Sequence, residues 1–211
     1  MKLMVASLVG MLAVSGVAHA QTAVPSKGYI EGIAQSAFGN VTSQSFGAEG
    51  GVSLTANVQI FAEAGLVRDT APDTIGPAAQ KIAVALGAGS AYSVAQPVNF
   101  GLIGLRYNIP MEGRALHPYI SVGGGLAGVK HDVAFQVNGT DVTDKLDTYG
   151  VVLGSDLAGT QRKLMISGGA GLVYNITRTI LFDATYRYGR IQTDGTATNV
   201  QRVGAGIGFR F

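Results

Sequence analysis

The chain closes on RVGAGIGFRF, residues 202–211, where Val203, Ala205, Ile207, Phe209 and Phe211 alternate with Arg202, Gly204, Gly206, Gly208 and Arg210. Successive side chains of a strand point to opposite faces, so period-two alternation marks a strand whose two sides meet different environments. One side of this strand is apolar throughout. The other carries only glycine and arginine, so a fold for this chain must give the strand two neighbours and give each face its own solvent.

The pattern recurs along the chain. GYIEGIAQSAF (28–38) places Ile33 on the face of Glu31 and Gln35. In GAEGGVSLTA (47–56), Ala48, Val52, Leu54 and Ala56 alternate with Glu49, Gly51, Ser53 and Thr55. A tight turn at Ala56-Asn57 leads to VQIFAEAGLV (58–67), with Val58, Ile60, Ala62, Ala64 and Leu66 opposite Gln59, Glu63 and Gly65. A long segment, Arg68 to Pro97, precedes VNFGLIGLRYNI (98–109), where Ile103, Leu105, Tyr107 and Ile109 oppose Gly104, Arg106 and Asn108. PMEGRALHP turns the chain into YISVGGGLAGV (119–129), with Ile120, Val122 and Leu126 against Tyr119, Ser121, Gly123 and Gly125.

A second long segment, Lys130 to Arg162, leads to KLMISGGAGLVY (163–174). After a short turn, TILFDATYRYGR (179–190) sets Ile180, Phe182, Ala184, Tyr186 and Tyr188 against Asp183, Thr185 and Arg187, and a loop from Ile191 to Asn199 returns to the closing strand. Connections that alternate between long and short predict an all-β fold, an eight-stranded antiparallel up-and-down transmembrane β-barrel, because only closure gives every strand two partners.

Composition decides which way the barrel faces. The 211 residues are 47% hydrophobic but only 13% charged, about half the ~25% of soluble domains. The polar faces carry Glu31, Glu49, Glu63 and Asp183 against Arg106, Arg187, Arg202 and Arg210, amid many small residues. A glycine-rich face is a poor solvated exterior and a good fit to a narrow lumen. The eight charges therefore read as a lumen network, in which each buried ion needs a partner; which acid meets which base is open, with Glu63 and Arg106 a trial pair. The apolar faces then form an outward belt roughly 25 Å tall. Tyr107, Tyr174, Phe182, Phe209 and Phe211 sit on those faces beside the short turns, and Phe38, Phe46 and Tyr188 near the long loops, the expected placing of two interfacial girdles.

The N-terminal MKLMVASLVGMLAVSGVAHA reads as a secretory signal cleaved near Ala20, followed by a barrel domain over 21–211. Loss of Lys2 leaves the mature chain nearly neutral, so it has no basic field for nucleic acid. With no cysteine, the exported chain has no disulfides to hold it.

HPYISVGGGLAG, LFDATYRYGR and above all the closing VGAGIGFRF resemble the small outer-membrane β-barrels of Gram-negative bacteria: the OmpA transmembrane domain and the OmpX and OmpW type porin-family proteins. The resemblance covers about residues 28 to 211. It implies an outer-membrane location with periplasmic termini, contact with outer-membrane lipid and lipopolysaccharide, and a monomer. It also implies that Ile207, Phe209 and Phe211 form the signal read by the barrel-assembly machinery. The chain ends with the barrel, so a following peptidoglycan-binding domain is not expected.

Gly123 to Gly128 matches a dinucleotide fingerprint, but it lies inside an alternating strand with no helix after it. Its glycines read as space for lumen side chains such as Tyr119. His117 and His131, the mature histidines, are expected in a short turn and a long loop at opposite barrel ends, too far apart to share a metal. His131-Asp132 raises the possibility of acyl-hydrolase chemistry, but no serine stands at the spacing one such family uses. No catalytic, cofactor or metal site is expected. Asn40, Asn138 and Asn175 begin N-glycosylation patterns that mean little in a bacterial protein. AAQKIAVALGAG (78–89) suits a short helix or a strand extension, packed on the barrel mouth. The expected role is structural or surface-interactive, through membrane integrity and the long loops. The alternatives are a narrow pore for small solutes and a periplasmic ligand-binding barrel with an inward apolar face.

Overall fold

The computed structural model describes residues 27–72, 75–111, 115–154, 157–192 and 197–211. The signal segment expected at 1–20, with cleavage expected near Ala20, lies outside the described residues. Eight long strands close a ring: β1 (Gly28–Phe38), β2 (Ser43–Ser53), β3 (Val58–Val67), β5 (Val98–Asn108), β6 (Leu116–Val137), β8 (Ala158–Asn175), β9 (Ile180–Ile191) and β10 (Thr198–Arg210). Each pairs antiparallel with the next, and β10 pairs with β1. Every barrel strand therefore has hydrogen-bonding partners on both edges, and the sheet has no open edge.

Followed across the ladders, Tyr29 on β1 lines up with Gly51, Phe61, Gly104, Gly123, Ser167, Gly189 and Val200. Val200 lies beyond the top of β1, where Phe38 meets Gln201. The stagger is about ten residues round the ring, which tilts the strands against the barrel axis.

The lower end holds the termini and short turns. The Gly28 amide donates to the Phe211 carbonyl at 3.0 Å and the Phe211 amide to that of Gly28 at 3.1 Å. Two turns there share one device: Thr55 Oγ1 accepts from the Asn57 and Val58 amides, and Thr177 Oγ1 from those of Thr179 and Ile180. Such hydroxyl-capped turns satisfy backbone donors without further chain.

The long connections are more structured than their sequence suggests. The segment from Arg68 to Pro97 contains a helix, α1 (Ile75–Leu86), and a short strand, β4 (Ser90–Ala95). Pro77 stands in the first turn of α1, where no helical amide is lost, and Gly87 ends the helix at φ 98°. The segment from Lys130 to Arg162 is mostly regular: β6 runs on to Val137, turns through Asn138-Gly139 into β7 (Thr140–Asp141), passes a 3-10 helix η1 (Thr143–Tyr149), and enters β8 at Ala158. Asn138 and Gly139 take φ 49° and 79°, the left-handed pair that a two-residue hairpin needs. His117 is the second residue of β6 and His131 lies fourteen positions further along the same strand, correcting their placing in a turn and a loop.

Ile75, Ala79 and Ala83 of α1 pack with Val133, Phe135, Val142, Leu146 and Leu157 into a second apolar core. Val133 and Phe135 belong to the inward face of β6, so this core sits over the upper mouth. Of the two readings of residues 78–89, the helix holds as far as Leu86; Gly87 to Gly89 then turn the chain into β4, a separate strand.

Inside the barrel, bulky side chains lie across from glycine. A Cβ at Gly171 would come within 2.5 Å of the Tyr119 ring, and one at Gly51 within 2.4 Å of Tyr29. Those glycines make room for two lumen tyrosines, a part expected of the GGGLAG run, whose Gly123 instead lies against Phe61 and whose Gly125 lies against the Gly101 backbone. Replacing Gly171 with leucine is expected to destabilise the barrel by about 1–3 kcal/mol, the usual cost of overpacking. A lower temperature at which the compact gel band converts to the unfolded one measures this.

Candidate functional site: a buried ionic network

The inward residues form three layers. At the lower end Tyr29, Tyr119, Val173 and Leu181 make a small apolar cluster. Toward the upper end Ala37, Val67, Val98, Phe100, Leu102, Ala127, Val129, Met165, Ile191 and Val200 make a larger one. Between them lie the charges.

Alternation aims Glu31, Glu49, Glu63, Arg106, Asp183, Arg187 and Arg202 into the lumen, and each is almost fully buried. The register sets Glu31, Glu49 and Glu63 side by side across β1, β2 and β3. Three adjacent carboxylates would repel each other unless cations answer them, and β5 and β10, which flank the acidic strands, and β9 beyond β10 deliver them. Arg106 Nη2 lies between Glu49 Oε1, Glu31 Oε1 (3.3 Å) and Asp183 Oδ2 (3.4 Å). Arg187 donates to the other oxygen of Glu49 and approaches Glu63 Oε2 at 3.7 Å. Arg202 Nη1 donates to Glu63 Oε1 at 2.7 Å and to Gln35 Oε1 at 3.3 Å.

Glu49 is the hub, since it accepts from Arg106, Arg187 and the Tyr29 hydroxyl. The Tyr119 hydroxyl donates to Asp183 Oδ2 at 2.7 Å. Aromatic faces cover the guanidiniums: Arg106 lies 3.9 Å from the Tyr119 ring centre and 4.7 Å from that of Tyr29, Arg202 4.3 Å from Phe100, and Arg187 5.1 Å from Phe61. These distances suit cation–π attraction, which gains strength when desolvated.

Two expectations change. The trial pair Glu63 and Arg106 does not form; Glu63 meets Arg202 and Arg187, because Arg106 enters lower on β5 and is occupied by Glu49, Glu31 and Asp183. Arg210, half-buried at the lower end of β10 beside Tyr29, makes no ion pair among the described residues, so three guanidiniums rather than four carry the linked network. Tyr29, Tyr119 and Gln35 complete the network and were not counted in it from sequence. The available signal was their inward phase beside the charges, with glycine facing each tyrosine.

The outer face is the reverse of the lumen. Ile103 is 64% exposed, Phe209 60% and Phe211 71%, and Ile207, Tyr107, Tyr174, Phe182 and Tyr188 also point outward. Phe182, Phe209, Phe211, Tyr107 and Tyr174 ring the lower end. Phe46 and Tyr188 stand near the upper end, where the Tyr188 hydroxyl donates to Asn199 Oδ1 at 2.8 Å. Among the described residues no cluster of histidine and acidic groups has the spacing to hold a metal ion.

Comparison with known proteins finds the same architecture. The Neisserial surface protein A structure matches with a TM-score of 0.57 at 14% identity, over 88% of this chain and 98% of that one. A major outer membrane protein from Thermus thermophilus matches with a TM-score of 0.52 at 7% identity, over 87% of this chain and 99% of that one. At such identities the likeness is one of fold. No family model matches the chain, and neither does any curated protein sequence.

Removing one partner of a buried ion pair leaves the other charge uncompensated. Glu49→Gln is therefore expected to lower stability by about 3–5 kcal/mol, the largest loss of any single lumen carboxylate, measured by denaturant unfolding in detergent. Double-mutant cycles are expected to give a coupling of about 0.5–3 kcal/mol for Glu63 with Arg202 and near-additivity for Glu63 with Arg106.

Proposed function

We propose that this chain is an outer-membrane barrel whose work is structural and surface-interactive: it holds a sealed, lipid-facing cylinder in the membrane and presents its α1–β4–η1 cap outside. The observation that supports this best is the inversion of faces, with a continuous apolar exterior around a lumen filled by ion pairs between two apolar layers. Water-facing barrels place these two chemistries the other way round, so the ligand-binding alternative with an inward apolar face is disfavoured. A solute pore is disfavoured too, because Phe100, Leu102, Met165, Ile191 and their neighbours fill the cross-section above the charges. Eight strands enclose little more than their own side chains.

In this reading the chain is exported by its first 20 residues, and Ile207, Phe209 and Phe211 present the closing strand to the barrel-assembly machinery. Both termini then lie in the periplasm, and the folded protein is a monomer in contact with lipid and lipopolysaccharide. A non-catalytic role is favoured by the separation of His117 and His131, fourteen residues apart along the extended strand β6.

Unheated outer-membrane fractions are expected to show a compact band in SDS that shifts on boiling; recovery of the mature chain from the soluble periplasm without detergent would contradict the reading. Planar-bilayer recordings are expected to show no large stable conductance steps, and such steps would favour the pore.

A further inference from the structure

The upper edge of the apolar belt is charged mainly along one arc. On the outer face Lys130 on β6 stands above Leu126, Arg162 on β8 above Leu164, and Arg190 on β9 above Tyr188, three successive strands of the ring, and all three cations are exposed. Arg162 lies opposite Gly128 while Lys130 lies opposite Thr160, so the two are diagonal neighbours across one ladder, close enough for long side chains to share a ligand. Arg190 lies opposite Ile166 on one side and Asn199 on the other.

The rest of the edge differs. β10 offers Asn199 and Gln201, and β1 offers Phe38. Just past β3, Arg68 Nη1 donates to Gln44 Oε1 of β2 at 2.7 Å. Within the arc, Lys130 Nζ lies 3.0 Å from Asp132 Oδ2, whereas Arg162 and Arg190 meet no carboxylate among the described residues. The uncompensated charge of the arc is thus two guanidiniums, flush with the upper limit of the lipid-facing surface.

We infer that Arg162 and Arg190, with Lys130 beside Arg162, form a docking patch for the phosphate groups of a glycolipid headgroup in the outer leaflet. This rests on the outer-membrane reading given above. A guanidinium presents a planar fork of donors that matches phosphate oxygens in pairs, and cations at a membrane surface are drawn to anionic headgroups. The patch continues directly into Leu164, Ile166 and Leu126, so a ligand held there by its phosphates has its acyl chains already against apolar side chains. That continuity selects a lipid over a soluble phosphate.

The test uses the full mature chain folded in neutral detergent micelles, with lipid A, dephosphorylated lipid A and inorganic phosphate as probes. Lipid A is expected to bind at least about tenfold tighter than its dephosphorylated form. That preference should fall to near parity in R162Q/R190Q and survive in R68Q. Equal binding of the two lipids by the unaltered chain, or a preference retained in R162Q/R190Q, would overturn the patch. Inorganic phosphate competing as well as lipid A would show a free-anion site and overturn the lipid assignment. The heat-dependent gel shift checks that each variant is folded. An unaltered chain that forms no barrel in detergent would instead remove the membrane reading on which the patch depends.

Discussion

The fold depends on one constraint: a barrel in lipid must bury its own charges, and each buried ion costs several kcal/mol unless it is answered. The three glutamates on β1, β2 and β3 are adjacent through the register itself, so they cannot neutralise one another. Their partners come from strands distant in sequence, Arg106 on β5, Arg187 on β9 and Arg202 on β10. The network is satisfied only when the ring is closed, because the cations reach the acids across the lumen. Closure, register and electrostatics are therefore one condition.

Steric matching supports the same condition. Tyr29 and Tyr119 occupy the lumen because Gly51 and Gly171 face them, and each tyrosine then does two jobs, donating its hydroxyl to a carboxylate and offering its ring to Arg106. Substitution at those glycines displaces the groups that hold the ions, so packing and charge fail together. The apolar layers above and below keep the ion pairs dry.

Much of this was legible in the sequence, because a barrel strand writes its two solvents directly into period two. The eight strands, the sign of each face and seven inward charges follow from alternation and from the low charge content. The pairing was not legible: alternation fixes which face a residue is on, while its height in the lumen depends on the accumulated stagger of about ten residues. That stagger puts Arg202 level with Glu63 and drops Arg106 toward Asp183. The cap was obscured for another reason. In α1 and the upper part of β6 the apolar residues pack on each other above the belt, so the two-solvent rule no longer applies and the segments look like apolar loops.

The inversion of faces is the claim on which all of this stands, and isoleucine methyl NMR with a lipid-phase paramagnetic probe reads it without altering the chain. Ile30, Ile103, Ile120, Ile166 and Ile207 are exposed on the outer face, whereas Ile33 and Ile191 are buried in the lumen. In bicelles the first group is expected to broaden strongly and the second to stay sharp. Broadening of Ile33 and Ile191 with the outer group left sharp would contradict the inverted barrel.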